Sequence, residues 1–350
     1  MMNSETYGSF PRVTVVIPMR NEESYIGRCL ESVLGQDYPE ELIEVLVVDG
    51  GSTDGSLGVV KEISAAHSNV KVLGGSGVNC PAAMNMGIRD ATGELIAKID
   101  AHGYIAVDYV KTSGELLLKD EALKCVGGPI NPVGEGRIGE ASALARSSLF
   151  GVGRGVYSMG ESTKWVDTVQ CGVYKKGVFS EVGLFDESLQ FGEDEEINWR
   201  IREKGYGILA SPRVRFYYFP RSSVRKLYRQ YYNYGVARVR VIRKHPRFLR
   251  IKHVVPPIFV LALCLSGVLA LFCSLAMTAF IAVVLSYISI CLTVSVAISA
   301  KEGWKHILFL PTCFAALHFG YGIGFLRGVM QLCLERRQNG SDKRKSRDLG

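Results

Sequence analysis

Gly93-Glu94-Leu95-Ile96-Ala97-Lys98-Ile99-Asp100-Ala101-His102-Gly103 reads as a buried strand that stops at an acid. Leu95, Ile96, Ala97 and Ile99 supply the apolar run, and Gly103 frees the backbone just beyond it. An Asp and a His two residues apart at such a strand end can both point into one cleft. Carboxylate oxygen and imidazole nitrogen are suitable ligands for a divalent ion such as Mn²⁺ or Mg²⁺. Taken alone, the triplet reads more readily as a solvated turn, so its meaning depends on the surrounding chain.

Upstream, strands and helices alternate. Val13 to Pro18 is a short β-rich run, and Asn21-Glu22-Glu23 opens a helical pattern with Ile26, Leu30, Val33 and Leu34 on one face. Leu42 to Val48 is a second strand, ending at Asp49. Gly50-Gly51-Ser52-Thr53-Asp54-Gly55 is then a turn whose Ser52 to Asp54 can cap the next helix. Val70 to Leu73 is a third strand, a helix runs around Pro81 to Arg89, and the opening stretch is the fourth strand. This rhythm predicts an α/β fold with a mostly parallel, Rossmann-like sheet and helices on both faces. Ligands of such sheets bind at the carboxyl ends of the strands, where Pro18, Asp49 and Asp100 fall.

The 350 residues are 47% apolar with positive mean hydropathy. Residues 1–11 show neither a basic flank nor an apolar core, so no secretory leader is expected. Val254 to Ala300 holds 47 residues without Asp, Glu, Lys, Arg or His, enough for two spans of ~20 residues each, and Ile307 to Leu326 is a third candidate. The nine cysteines form no CxxC pair, which suits reduced or inert buried thiols better than disulfides or a zinc site. The net charge of +7 hides an asymmetry: residues 1–220 carry 21 basic and 30 acidic groups, and residues 221–252 carry eleven Arg or Lys and no acid. That block could meet nucleic acid. Its position directly before the apolar spans makes the anionic cytoplasmic leaflet the simpler partner, so no nucleic acid is expected.

Val15-Val16-Ile17-Pro18-Met19-Arg20-Asn21-Glu22, Val47-Val48-Asp49-Gly50-Gly51-Ser52-Thr53-Asp54-Gly55, Asn85 to Glu94, and Gly192-Glu193-Asp194 followed by Trp199-Arg200-Ile201-Arg202 resemble family 2 glycosyltransferases. The resemblance spans residues 12–206, with four blocks in order. Asp100-Ala101-His102, Cys171 to Tyr174, Gly183 to Glu187 and the His318–Phe325 stretch are most similar to the succinoglycan-type exopolysaccharide subgroup.

The resemblance implies a GT-A fold and the use of nucleotide-diphospho-sugars. It implies nucleotide-sugar contacts from Pro18, Asn21, Glu22, Asp49, Asp100 and Arg229, a divalent cation on Asp100 and His102, and Asp194 with Glu193 as the catalytic acids. Asp49 would accept the pyrimidine N3–H, its bland alternative being to cap the turn at Gly50-Gly51. Asp194 would deprotonate the acceptor hydroxyl, its alternative being a favourable acid at a helix N-terminus. Three features depart from the family pattern. Gly50 stands where a second Asp is common, His102 stands where the last Asp of DxD lies, and Gln230-Tyr231-Tyr232 gives no QxxRW.

The expected organisation is a glycosyltransferase domain over 1–220, a basic interfacial segment over 221–253, a membrane anchor of two to three spans over 254–334, and a basic tail over 335–350. The expected reaction is inverting transfer of a hexose, glucose favoured, from a UDP-sugar to a lipid-linked saccharide in polysaccharide biosynthesis. A processive synthase and a non-catalytic sugar- or lipid-binding subunit are the alternatives. The catalytic domain is expected in the cytoplasm at the cell membrane. Three spans, the slightly favoured number, would put Arg336, Arg337, Lys343, Arg344, Lys345 and Arg347 outside, against the positive-inside tendency.

Overall fold

The computed structural model describes residues 10–152, 162–220 and 223–347, and beyond Glu335 the helical backbone alone. The first residues and the side chains of the expected basic tail lie outside the described residues. The chain divides into two units, one of Met1–Pro132 with Gly155–Phe219, the other of Val133–Arg154 with Pro220–Gly350. Val133–Arg154 groups with the C-terminal helices and not with the chain on either side of it.

The first unit opens with β1 (Val13–Met19), α1 (Ile26–Leu34), β2 (Ile43–Asp49), α2 (Ser56–Ala66), β3 (Val70–Gly74), α3 (Cys80–Asp90) and β4 (Leu95–Lys98). β5 (Gly103–Ile105), α4 (Tyr109–Leu118), β6 (Leu123–Gly127) and β7 (Ile130–Pro132) follow. Next comes α5 (Gly136–Ser147), a member of the second unit. The first unit resumes with β8 (Lys164–Trp165), β9 (Val173–Lys175), α6 (Val178–Val182), α7 (Glu193–Glu203), β10 (Gly207–Ala210) and β11 (Phe216–Tyr218).

The main sheet has the order β3-β2-β1-β4-β9-β6-β10-β8, and β5-β11-β7 form a smaller one. β1 lies between β2 and β4, parallel to both, with Met19 opposite Asp49 and Val16 opposite Lys98. Both faces of these strands are covered, which is why they read as mostly apolar runs, with the Thr14 hydroxyl donating to Glu44 across β1 and β2. Val13, Val15, Ile17, Val45 and Val47 pack against Ile26, Leu30 and Val33 of α1 on one face. Val16, Leu46, Val48 and Ile96 pack against Met84 and Ile88 of α3 and Ile197 and Ile201 of α7 on the other. The two-residue period of β4 therefore sends Lys98 to the α7 face.

β9 enters antiparallel between β4 and β6, but β6 pairs parallel with β10, so the sheet stays mostly parallel. One local expectation shifts. The first helix starts at Ile26 rather than at Asn21, because Asn21 is committed elsewhere. Its backbone is left-handed at φ 56°, its side chain accepts the Thr53 N–H at 2.7 Å, and its own N–H donates to Ser52 Oγ at 2.9 Å.

The second unit contains α5, α8 (Val224–Lys244), α9 (Ile251–Leu269), α10 (Ser274–Glu302) and α11 (Leu310–Arg347). Ala141 and Ala145 of α5 pack with Leu227 and Tyr231 of α8 and with Leu310, Phe314 and Leu317 of α11. His318 is a tie within this unit: Nδ1 lies 3.1 Å from the Tyr287 hydroxyl and Nε2 2.7 Å from the Phe150 carbonyl oxygen. Ile251–Leu269, Ser274–Glu302 and Leu310–Glu335 are long and apolar enough to cross a membrane. All nine cysteines are free thiols.

Candidate active site

Strand ends and two loops assemble the site in the first unit. The loop after β1 and the turn after β2 are laced together by Asn21 with Ser52 and Thr53, and by the Glu22 N–H donating to Ser56 Oγ at 2.8 Å. Asp49 Oδ1 accepts the Ser52 hydroxyl at 2.6 Å and the Ser52 N–H at 3.0 Å. The turn-capping role expected as the alternative for Asp49 is thus present, and Oδ2 keeps only a long 3.3 Å contact with the same N–H. Gly50 has a steric reason: a Cβ there would lie 2.5 Å from the Val78 carbonyl oxygen. Pro18 sits in the last turn of β1 beside this lattice, half-buried.

Glu22 reaches across to His102, Oε1 lying 3.4 Å from Nδ1. The imidazole also packs edge-on against Tyr218, with ring centroids 4.9 Å apart. Burial works against its charged form, but the hydrogen bond to Glu22, then Tyr218 and Asp100, outweigh it and raise the His102 pKa. With Nδ1 engaged, Nε2 is the ring nitrogen left to bind a cation, as in carboxylate–histidine–metal pairs. Burial would raise the Asp100 carboxyl, yet Lys98 and then His102 prevail and lower it.

One carboxylate and one imidazole suit a borderline ion such as Mn²⁺. No cluster of three or more His, Cys, Asp or Glu donors forms among the described residues. The remaining positions of an octahedral ion would fall to substrate oxygens and water, as ions bound through substrate phosphates allow.

Lys98 is the residue that sequence reasoning missed. It is 1% exposed, with Nζ 2.7 Å from Asp194 Oδ2, 3.0 Å from Glu193 Oε1 and 3.7 Å from Asp100 Oδ1. Burial alone would push its ammonium down, but Asp194, Glu193 and Asp100 hold it well above its ordinary value. A Lys inside an apolar strand is the available signal, because such a group stays buried only with counter-charges.

The counter-charges come from α7. Gly192, left-handed at φ 79°, turns the chain into that helix and brings Glu193 and Asp194 to its first turn. The Asp194 carboxyl is pushed up to about 7, by burial first, against Lys98, with Glu193 adding to the rise. Its Oδ1 is buried and accepts no hydrogen bond from the described residues.

The later acids of this run differ. Glu196 is fully buried and pairs with Arg200 at 2.7 Å, while Arg200 Nη2 also donates to the Leu184 carbonyl oxygen at 2.8 Å. That pair ties α7 to the preceding loop. Arg229 is exposed on α8 of the second unit.

The family model described as Glycosyl transferase family 2 matches residues 14–182. A dolichyl N-acetyl-alpha-D-glucosaminyl phosphate 3-beta-D-2,3-diacetamido-2,3-dideoxy-beta-D-glucuronosyltransferase of Methanococcus voltae is 34% identical over 239 residues, covering 66% of this chain and 74% of its own. The succinoglycan biosynthesis protein ExoA of Rhizobium meliloti is 28% identical over 244 residues, covering 69% and 73%. Among solved structures, the mannosyltransferase PcManGT of Pyrobaculum calidifontis, in complex with GDP-Man and Mn²⁺, aligns with a TM-score of 0.59 at 18% identity over 90% of this chain and 88% of that one. That likeness is one of fold.

Proposed function

We propose, from the premise that this chain belongs to glycosyl transferase family 2, that it moves a hexose, glucose first, from a UDP-sugar to a lipid-linked saccharide at a membrane. The observation that carries this reading is the Lys98-centred cluster. It offers a carboxylate with a free oxygen and a near-neutral pKa, two residues of strand away from the candidate cation ligands.

Asp194 is the base. A general base works best with a pKa near the operating pH. Oδ2 is fixed by Lys98, and Oδ1 has a lone pair for the acceptor hydroxyl. As that oxygen attacks the anomeric carbon, its proton passes to Asp194 and the bond from the sugar to the diphosphate breaks. Lys98 keeps the carboxylate aimed and compensates the charge of Glu193. Asp100 and His102 hold a divalent cation, with Glu22 fixing the imidazole tautomer. When bound, that ion neutralises the diphosphate leaving group.

Asp49, Pro18 and the Asn21–Glu22 loop wall the base of the nucleotide. The Pyrobaculum structure is a complex with GDP-Man, so the fold leaves the nucleotide open and the choice of UDP rests on the family resemblance. The lipid-linked acceptor is supported by the dolichyl-phosphate acceptor in the name of the Methanococcus relative. The membrane is supported by the apolar helices, with the catalytic unit on the cytoplasmic side, where nucleotide-sugars are.

The test offers UDP- and GDP-sugars to the purified protein with a polyprenyl-linked saccharide, and reads released nucleoside diphosphate. Acceptor-dependent release from UDP-glucose is expected. Acceptor-dependent release only from a GDP-sugar would overturn the donor reading.

A further inference from the structure

We propose that only α9 and α10 enter the bilayer, as a two-helix hairpin. In this arrangement α11 lies with the basic helix α8 at the surface from which the hairpin enters. The inference rests on the membrane reading above and goes beyond it in assigning each helix its solvent.

α11 has the composition of a span but not the surroundings of one. Of its most apolar window 44% is buried inside the protein, against 17% for α9 and 11% for α10. Its main partner is α8. A Cβ at Gly320 would lie 2.8 Å from the Tyr228 carbonyl oxygen, one at Gly324 would strike the Tyr232 backbone, and one at Gly328 would meet Val239 at 3.0 Å. Gly235 of α8 returns the contact against the Tyr321 and Phe325 backbone. Farther along, Arg243 pairs with Glu335 at 2.7 Å. Positions on both helices advance together from 228 and 320 to 243 and 335, so the pair runs parallel with backbones touching, as small residues four apart allow.

α8 cannot sit in hydrocarbon. Arg225, Lys226, Arg229, Arg240, Arg243 and Lys244 are all exposed on it, from its first turn to its last. Lys and Arg are among the costliest side chains to place in the core of a bilayer. Residues 320–335 of α11 are held against α8 and lie beside its charges, and Gly322 meets Pro256 in the first part of α9, where the hairpin sets out. What remains of the apolar part, residues 310–319, is ten residues or ~15 Å of helix, about half of the ~30 Å hydrocarbon core.

α9 and α10 behave oppositely. Leu261, Leu265 and Val268 of α9 and Leu275, Ile281 and Leu285 of α10 are exposed. At 19 and 29 residues, both helices are long enough to cross. Two crossings return the chain to the side of α8. The Lys- and Arg-rich tail then lies on that same side, which removes the conflict with the positive-inside tendency.

Two exposed cysteines make the test. Cys273 lies in the connection between α9 and α10, and Cys333 lies near the end of the apolar part of α11. Full-length proteins keeping only one of the two are exposed, in sealed vesicles of each orientation, to a membrane-impermeant maleimide. The two-helix hairpin requires Cys273 and Cys333 to be labelled from opposite faces, each several-fold above the other orientation. Labelling of both from one face, in protein that resists carbonate extraction, overturns the inference and leaves the membrane reading standing. Release of the protein by carbonate overturns the membrane reading itself. A C-terminal reporter on the otherwise unaltered chain gives the same answer where a cysteine variant fails to fold, and it must report from the side of α8.

Discussion

Replacing Lys98 by Met keeps the stem in the β4–α7 interface and removes only the charge. Buried Asp194 and half-buried Glu193 would then be adjacent carboxylates without the ammonium that now lies 2.7 and 3.0 Å away. Breaking a buried pair from one side costs ~3–5 kcal/mol. At ~1.4 kcal/mol per pKa unit, the lower figure raises Asp194 by a further ~2 units above its present value of about 7. The ionised base at pH 7 falls ~10²-fold, and kcat falls with it. The sign in stability follows from the same shift. Asp194 has a folded pKa above that of the unfolded chain, so the native state holds a proton the unfolded state has released. Stability contributed by this group therefore falls as pH rises from the unfolded carboxylate value to the folded one. In the wild type this decline ends at about 7, and in Lys98→Met it continues ~2 units higher. Lys98 itself stays charged across that range, its own pKa being raised. Kinetics and thermal melts from pH 5 to 9 are the assay. The melting deficit should be smallest at pH 5 and widen towards pH 9, with kcat depressed at pH 7. A deficit independent of pH, or an unchanged kcat, would refute the reasoning.

Asp194→Asn keeps the shape and loses the base, so kcat should drop ~10²–10⁴-fold with donor KM little changed, and Glu193→Gln should be milder; equal losses in steady-state assays would undo the assignment. Glu22→Gln should weaken Mn²⁺ binding ~10–100-fold by calorimetry, because the imidazole loses its orienting carboxylate; unchanged affinity would remove Glu22 from that role. EDTA should abolish transfer and added Mn²⁺ should restore it, and full turnover in EDTA would sink the cation reading. Arg200→Met takes the guanidinium away from fully buried Glu196, so urea denaturation should show a loss of ~3–5 kcal/mol, while kcat per folded molecule stays near normal.

The parallel strands β1, β2 and β4 were legible because both their faces are covered, which makes them mostly apolar, with Asp49 and Asp100 standing out at or just past the ends of β2 and β4. Asp194 stood out instead from the acidic run that follows Gly192. What stayed hidden depends on tertiary partners. Lys98 reads as one polar residue in a strand until α7 places two carboxylates against it. Glu196 looks no different from Asp194 in sequence, yet Arg200 one helical turn on makes it a brace. Hydropathy scores α11 without its neighbours and so carries no sign of α8 beside it. Gly320, Gly324 and Gly328 were the available hint that another backbone comes close.

Val133–Arg154 groups with the C-terminal helices, although it lies between β7 and β8 of the catalytic unit. That gives the chain an order-of-assembly problem. α5 leaves the ribosome roughly 160 residues before the start of α11, against which Ala141 and Ala145 pack. At ordinary synthesis rates its apolar side waits ~10–30 s for that partner. Until then the nascent chain carries a sticky surface that chaperones or the lipid headgroup layer must shield. The same interleaving bears on truncation. A fragment ending near residue 220 would strand α5 permanently and should aggregate, whereas one that also replaces 133–154 with a short polar linker should be the soluble form.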